Sequence, residues 1–207
     1  MTDDYRIETI AELETIIGEP LEFLKEKVLA VLDDTMKTFI ARSPLAFIST
    51  LDSEGRIDTS PKGDPSGFIQ IDDQGCLLIP ERPGNRLTFG FRNLLGNSQI
   101  GLIFVLPNER ETLRVKGIAT LHSDPKQLEA MAVKDKPALL YTRVEVTECF
   151  FHCGKAMIRS KLWQPDSWAE TGPNAMVEQL NKVMGGDEEL EQVIGAEIEK
   201  NYREELY

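Results

Sequence analysis

The sequence predicts a mainly β protein, an antiparallel β-barrel with flanking helices. Two observations carry this reading. Six or seven short runs of strand character are joined mostly by tight turns. The regular strand–helix alternation that a doubly wound sheet requires is absent.

The elements follow in order. Ile7, Ile10, Leu13 and Ile16 recur at helical spacing, with Gly18 as the C-terminal stop. Pro20 suits the first turn of a second helix, which carries Leu24, Val28, Leu32 and Phe39 along one side to about Arg42, before Pro44. LAFISTL, from Leu45 to Leu51, is the first strand. DSEG, from Asp52 to Gly55, is its turn, and Arg56 to Ser60 is the returning partner. Gly67 to Ile71 and Cys76 to Ile79 are two more short strands, separated by DDQG. A helix is expected to start near Gly84 and to carry Leu87, Phe91, Leu94 and Leu95 inward.

Ile100 to Leu106 is a continuous apolar strand, and Thr112 to His122 alternates, with Leu113, Val115, Ala119 and Leu121 on one face. Asp124 and Pro125 open a short helix. Leu139 to His152 is the last long strand, and the remainder is helical. The chain thus divides into N-terminal helices packed on the barrel (1–43), a barrel core (44–153) and a helical segment with an acidic tail (154–207), one domain overall.

Composition narrows the function. The 207 residues carry a formal net charge of −12, which disfavours general nucleic-acid binding, because phosphate backbones attract basic surfaces. Nine acids against three bases lie between Asn174 and Tyr207, half of that net charge. GKAMIRSKLW, from Gly154 to Trp163, has three bases and no acid, an island suited to one specific anion. No apolar run approaches the ~20 residues of a membrane helix. MTDDYRIETI lacks the order of a signal peptide, so a cytoplasmic protein is expected. Cys76, Cys149 and Cys153 are odd in number and irregular in spacing, which argues against a disulfide framework. With His122 and His152 they show no zinc-ligand spacing, so no metal is expected. G-x-S-x-G, G-x-G-x-x-G and Walker patterns are all missing.

Two segments have anion chemistry. SPKGD, from Ser60 to Asp64, ends a strand with a hydroxyl and an ammonium close together. ERPGNRL, from Glu81 to Leu87, leads towards a helix start, where free N–H groups favour an anion and Asn85 and Arg86 add donors. Arg86 offers a bidentate fork and Lys62 a point charge. In the basic island, Lys155 and Arg159 share a helix face, with Ser160 and Trp163 supplying a hydroxyl and a planar surface. The first two segments read equally as solvated turns, and the basic island by itself reads more readily as a solvated basic face.

The order AFISTLDSEGRIDTSPKGD, LLIPERPGNR, IGLIFVLP, ETLRVKGIATL, followed by FFHCGKAMIRSKLW, resembles the FMN-binding split-barrel superfamily of pyridoxamine 5′-phosphate oxidase-like proteins. It is most similar to a subgroup of pyridoxamine oxidase-related FMN-binding proteins, over about Ile7 to Trp168. The resemblance implies a homodimer with FMN at the subunit interface. It implies that Ser60, Lys62, Asn85 and Arg86 hold the phosphate and that the Ile79–Pro80 backbone lies near the isoalloxazine ring. Lys155, Ser160 and Trp163, with Arg159 beside them, would arrive from the partner subunit. Where pyridoxamine phosphate oxidases carry a Trp- and Arg-containing segment for their substrate, this chain has the acidic GAEIEKNYREELY, so the resemblance does not extend to that substrate. The expectation is an FMN-dependent oxidoreductase of small molecules. The alternatives are a flavin carrier or sensor, or a relative that binds deazaflavin, or haem through His122 or His152.

Overall fold

The protein, described as a computed structural model over residues 5–207, is built around a hairpin of β1 (Leu45–Leu51) and β2 (Ile57–Gly63). Its register runs from Leu45 opposite Gly63 to Leu51 opposite Ile57. The Asp52 carboxylate accepts from the N–H groups of Glu54 and Arg56 at 2.8 and 2.9 Å, and Gly55 supplies the left-handed residue at φ 80°. The other strands are β3 (Gln70–Ile71), β4 (Leu77–Pro80), β5 (Gln99–Val105), β6 (Thr112–His122) and β7 (Tyr141–His152). Among the described residues they form one antiparallel sheet in the order β2-β1-β5-β6-β7-β4-β3.

That sheet curls around a single main core. Ala46 and Ile48, Leu77 and Ile79, Leu102 and Phe104, Leu113 and Val115, and Val144 and Cys149 all belong to one buried cluster, although they come from five different strands. Inward faces that meet across the sheet make it a split barrel with flanking helices rather than an open layer. Opposite Lys116 and Gly117 the ladder skips Thr147, a bulge that bends β7 against β6. Gly117 is required there, because a Cβ would lie 2.3 Å from the Glu145 carbonyl oxygen.

Three helical expectations change. The helix expected from Pro20 to Arg42 is broken into a 3-10 turn at Glu22–Leu24 and α2 (Asp34–Arg42), following α1 (Ile10–Ile17). Between them Leu29 exchanges both backbone hydrogen bonds with Cys149, at 3.0 and 2.7 Å. β4 pairs only with Tyr141–Val144 of β7, so the far part of that edge is open to this bridge, and tertiary pairing overrides local helix propensity. Asp33 then caps α2, accepting from the Met36 N–H at 2.8 Å, and α2 buries Met36, Phe39 and Ile40. These three residues join the buried cluster of the sheet. α1 has its Thr9–Glu12 capping box and Gly18 stop but buries none of its residues. The first four residues of the expected 1–43 segment lie outside the described residues.

The helix expected from Gly84 begins later, as α3 (Phe89–Gly96). Arg86 and Thr88 hold φ values of 60° and 56°, a conformation no right-handed helix contains. Leu94 is buried and Leu95 is 80% exposed, while Leu87 is partly exposed and lies ahead of the helix. The C-terminal quarter comprises α5 (Lys155–Ser160), after α4 (Pro125–Ala130), and then α6 (Ala175–Met184) and α7 (Glu188–Glu204). Residues 161–174 contain only a 3-10 turn at Pro165–Ser167, so this part is less continuously helical than expected. No helix among the described residues is long and apolar enough to cross a membrane.

Candidate functional site

β2 turns its polar residues inward. Asp58, Ser60 and Lys62 are half-buried along one face, whereas Ile57 and Thr59 are exposed on the other. A half-buried strand ordinarily shows the opposite pattern. The reversal is explained by a cavity of about 520 Å³ that these residues line together with Ile48, Ile79, Leu94 and Ile100. That volume lies within the range of about 300–1,000 Å³ typical of small-molecule sites.

The opposite wall is the segment after β4. Glu81 extends the ladder, donating its N–H to the Leu140 carbonyl at 2.9 Å and accepting from the Leu139 N–H at 3.0 Å, which brings Leu139 and Leu140 to the cavity. Beyond it the chain passes through the left-handed Arg86 and Thr88. Each such residue costs on the order of 1–3 kcal/mol, and strain of this kind concentrates at ligand-binding loops. The Asn85 side-chain oxygen accepts from the Leu87 N–H at 3.0 Å and shapes the bend. α3 closes the site, held to β1 by the Asn93 amide donating to the Thr50 hydroxyl at 3.1 Å.

Two ion pairs stitch the walls together. Lys62 meets Glu81 at 2.5 Å, and Arg82 meets Asp64 at 2.7 Å. The Lys62 ammonium also sits 5.0 Å from the centre of the Phe91 ring. The large cavity is lined by three cations, Lys62, Arg82 and Arg86, against two acids, Asp58 and Glu81. With Asp64, the partner of Arg82, three acids meet three cations, so the site is close to neutral within an acidic protein. Arg82 uses Nε on Asp64 and Nη2 on the Met131 carbonyl, at 2.7 Å each, and its buried Nη1 has no partner. A buried cationic donor without an acceptor favours a bound anion nearby.

Of the residues singled out from the sequence, Ser60, Lys62, Ile79, Asn85 and Arg86 line this one cavity. Pro80 lines a smaller, adjoining cavity with Lys62, Asp64, Glu81 and Arg82. Lys155, Arg159, Ser160 and Trp163 stand elsewhere in the same chain. Lys155 and Arg159 are exposed, one turn apart on α5. The Ser160 hydroxyl donates to the Met157 carbonyl at 3.2 Å, and the Trp163 indole N–H donates to the Glu109 carbonyl at 2.7 Å. Sequence reasoning misses Asp58, Asp64, Glu81 and Arg82 as site residues. The period-two alternation of β2 marks Asp58, which shares a face with Ser60 and Lys62. Glu81 and Arg82 lie inside the ERPGNRL segment itself.

The cavity's residues fit FMN. Phosphate needs converging donors, which Ser60, Lys62, Asn85 and Arg86 provide, and the unpartnered Arg82 Nη1 adds positive potential beside them. A flat ring needs an apolar slot, which Ile48, Ile79, Leu94 and Ile100 provide. A histidine-ligated haem fits less well. Neither His122, which is hydrogen-bonded to Thr120 at 2.7 Å and stacked on Tyr141, nor His152 lines a cavity described above. Burial pushes the Cys149 and Cys76 thiols up, which suits core packing rather than nucleophilic work.

Comparison with known proteins bears on this site. A family model described as pyridoxamine 5′-phosphate oxidase matches residues 32–153. No curated protein matches the chain. Among solved structures, HupZ from Group A Streptococcus is 19% identical, with 58% of this chain and 94% of that one covered and a TM-score of 0.47. A Lactobacillus delbrueckii protein described as a candidate pyridoxamine 5′-phosphate oxidase is 18% identical, covering 59% and 95%, with a TM-score of 0.46. HutZ, the haem storage protein from Vibrio cholerae, is 15% identical, covering 58% and 94%, with a TM-score of 0.39. The family model spans the whole curled sheet and both walls of the cavity, and the chain belongs to the pyridoxamine 5′-phosphate oxidase family.

Proposed function

We propose that the protein is an FMN-binding flavoprotein that acts in the cytoplasm as a small-molecule oxidoreductase. One observation carries the reading: Ser60, Lys62, Asn85 and Arg86 converge on a single cavity whose remaining wall is aliphatic. In this reading these four residues hold the phosphate, and the Ile79–Pro80 backbone lies along the isoalloxazine. Phosphate replaces Glu81 as the partner of Lys62, while Arg82 stays clamped to Asp64. When bound, the flavin supplies reversible electron or hydride acceptance. The chain's own residues bind it, orient it and exclude water, which requires no side-chain nucleophile.

The protein is proposed to work as a homodimer with the flavin at the interface. Lys155 and Arg159 project from one face of α5 without an ion-pair partner among the described residues, which suits a role on a second subunit's flavin. Trp163 can present only its ring there, since its N–H is committed to Glu109.

The test is spectroscopic. Protein purified with its native cofactor is expected to be yellow, and reductant is expected to bleach its visible absorption. A colourless protein that takes up no added FMN would contradict the reading. A loaded protein that oxidises neither reduced nicotinamide nor any of a substrate panel would instead be a flavin carrier or sensor.

A further inference from the structure

Asp64 lies at the end of the strand that carries Ser60 and Lys62, and Arg82 lies in the segment that carries Asn85 and Arg86. Their ion pair therefore fastens one half of the anion grip to the other. The Asp64 side chain is only 2% exposed, and its second oxygen is taken by a residue from far away in sequence. The Tyr207 hydroxyl donates to Asp64 Oδ1 at 3.0 Å. The docking place for Tyr207 is built on both sides. The Lys136 ammonium donates to the Tyr207 backbone oxygen at 2.6 Å, and the Lys134 ammonium lies 4.7 Å from the ring centre.

The turn that presents those two lysines is itself unusual. Val133 and Lys136 are bridged across Lys134 and Asp135, which hold φ values of 51° and 60°. Two consecutive left-handed residues form the tight hairpin turn that glycine and asparagine normally occupy. A Lys-Asp pair held there is strained, and the strain places one ammonium over the Tyr207 ring and the next on its backbone. The Tyr207 phenol is pushed above its ordinary value chiefly by its hydrogen bond to Asp64, and it remains a donor at neutral pH.

We propose that Tyr207 is a positioning residue for the cofactor cavity, and that the α6–α7 tail is a strap whose docking is coupled to flavin binding through Asp64 and Arg82. The proposal rests on the FMN reading above. Tyr207 lines neither cavity, so it acts through the ion pair. With Tyr207 docked, Asp64 has both oxygens occupied and holds Arg82 in place, and the 81–88 segment meets the ligand in its bound shape. Without it, a buried carboxylate oxygen loses its donor and the clamp loosens. Coupling of this kind is reciprocal, so flavin must hold the tail down by the same factor that the tail tightens flavin.

The test uses the full chain, with FMN as the probe. Quenching of FMN fluorescence gives its Kd for the wild-type protein, for Tyr207→Phe and for Asp64→Asn, and limited proteolysis follows cleavage within residues 188–206 with and without FMN. Tyr207→Phe is expected to raise the FMN Kd about fivefold or more. FMN is expected to slow tail cleavage in the wild-type protein and to leave it unchanged in Tyr207→Phe. Asp64→Asn, which weakens the same clamp by a second route, is expected to raise the Kd in the same direction. A wild-type Kd retained in Tyr207→Phe, with tail cleavage indifferent to FMN, would overturn the coupling and leave the flavin site standing. Failure of the wild-type protein to bind FMN at all would overturn the flavin reading and this inference with it.

Discussion

At the scale of the residue, the proposed flavin site would set fixed acids against an incoming phosphate. Lys62 is already paired with Glu81, whereas Arg86 has no ion-pair partner among the described residues. Substituting Arg86 and Glu81 tests two different quantities. Arg86→Ala deletes a charge-assisted fork worth roughly 1.5–3 kcal/mol, and the FMN Kd should rise by about 10-fold or more. Glu81→Gln removes the resident rival of the phosphate, so equilibrium titration should show FMN binding at least as tight as wild type. Weaker binding in Glu81→Gln would show that Glu81 supports the cavity rather than competing within it. Thr88 offers a third probe. A β-branched residue at φ 56° is strained, and Thr88→Gly should relieve that strain while loosening the loop. The expected outcome is a thermal midpoint at or above that of wild type, with FMN held less tightly.

Among the elements, those that local chemistry decides are legible in the sequence. β1 and β6 occupy the expected residues because alternation and turn signals bound them on both sides. The Asp52–Gly55 turn follows from side-chain capping and one glycine. The break before α2 is not legible, since it depends on the open edge of β7, more than a hundred residues away. The late start of α3 is not legible either, because nothing local forces Arg86 and Thr88 into the left-handed region. For the site, SPKGD and ERPGNRL can be singled out by chemistry. That they share one cavity is a consequence of the curl, which brings β2 and the residues after β4 together from opposite edges of the sheet order.

The same scale supplies two stability tests. Gly117→Ala forces a Cβ against the Glu145 carbonyl and the Val144 side chain. Denaturant titration should show a loss of about 1–3 kcal/mol, the usual cost of overpacking. Asp72 ties the β3–β4 turn to β7. Burial pushes its carboxyl up, but hydrogen bonds from the Cys76 N–H, Arg143 and the Gln74 N–H outweigh it and leave the group below its ordinary value. A depressed carboxylate contributes stability above its unfolded value of about 3.9, and that contribution fades as pH falls through the lower folded value. Asp72→Asn should therefore be less stable than wild type at neutral pH, with the gap narrowing below about pH 4.

For the whole molecule, the proposed homodimer would give partners to surfaces that have none among the described residues. α1 carries Ile10, Ile16 and Ile17 at 74%, 68% and 75% exposure, and α5 presents its two cations to solvent. A homodimer would give these features company, and light scattering should report twice the 23.3 kDa chain mass at micromolar concentration. A monomer at that concentration would leave Lys155 and Arg159 without a second flavin to reach. In the proposed function, FMN occupies the cavity between β2 and the 81–88 segment. The most direct measurement is an equilibrium titration of FMN into flavin-free protein, followed by fluorescence, for wild type and Arg86→Ala side by side. Saturation is expected at one FMN per chain, with binding weakened about 10-fold or more by the substitution. Equal affinity in the two proteins, or no saturable binding in either, would contradict it.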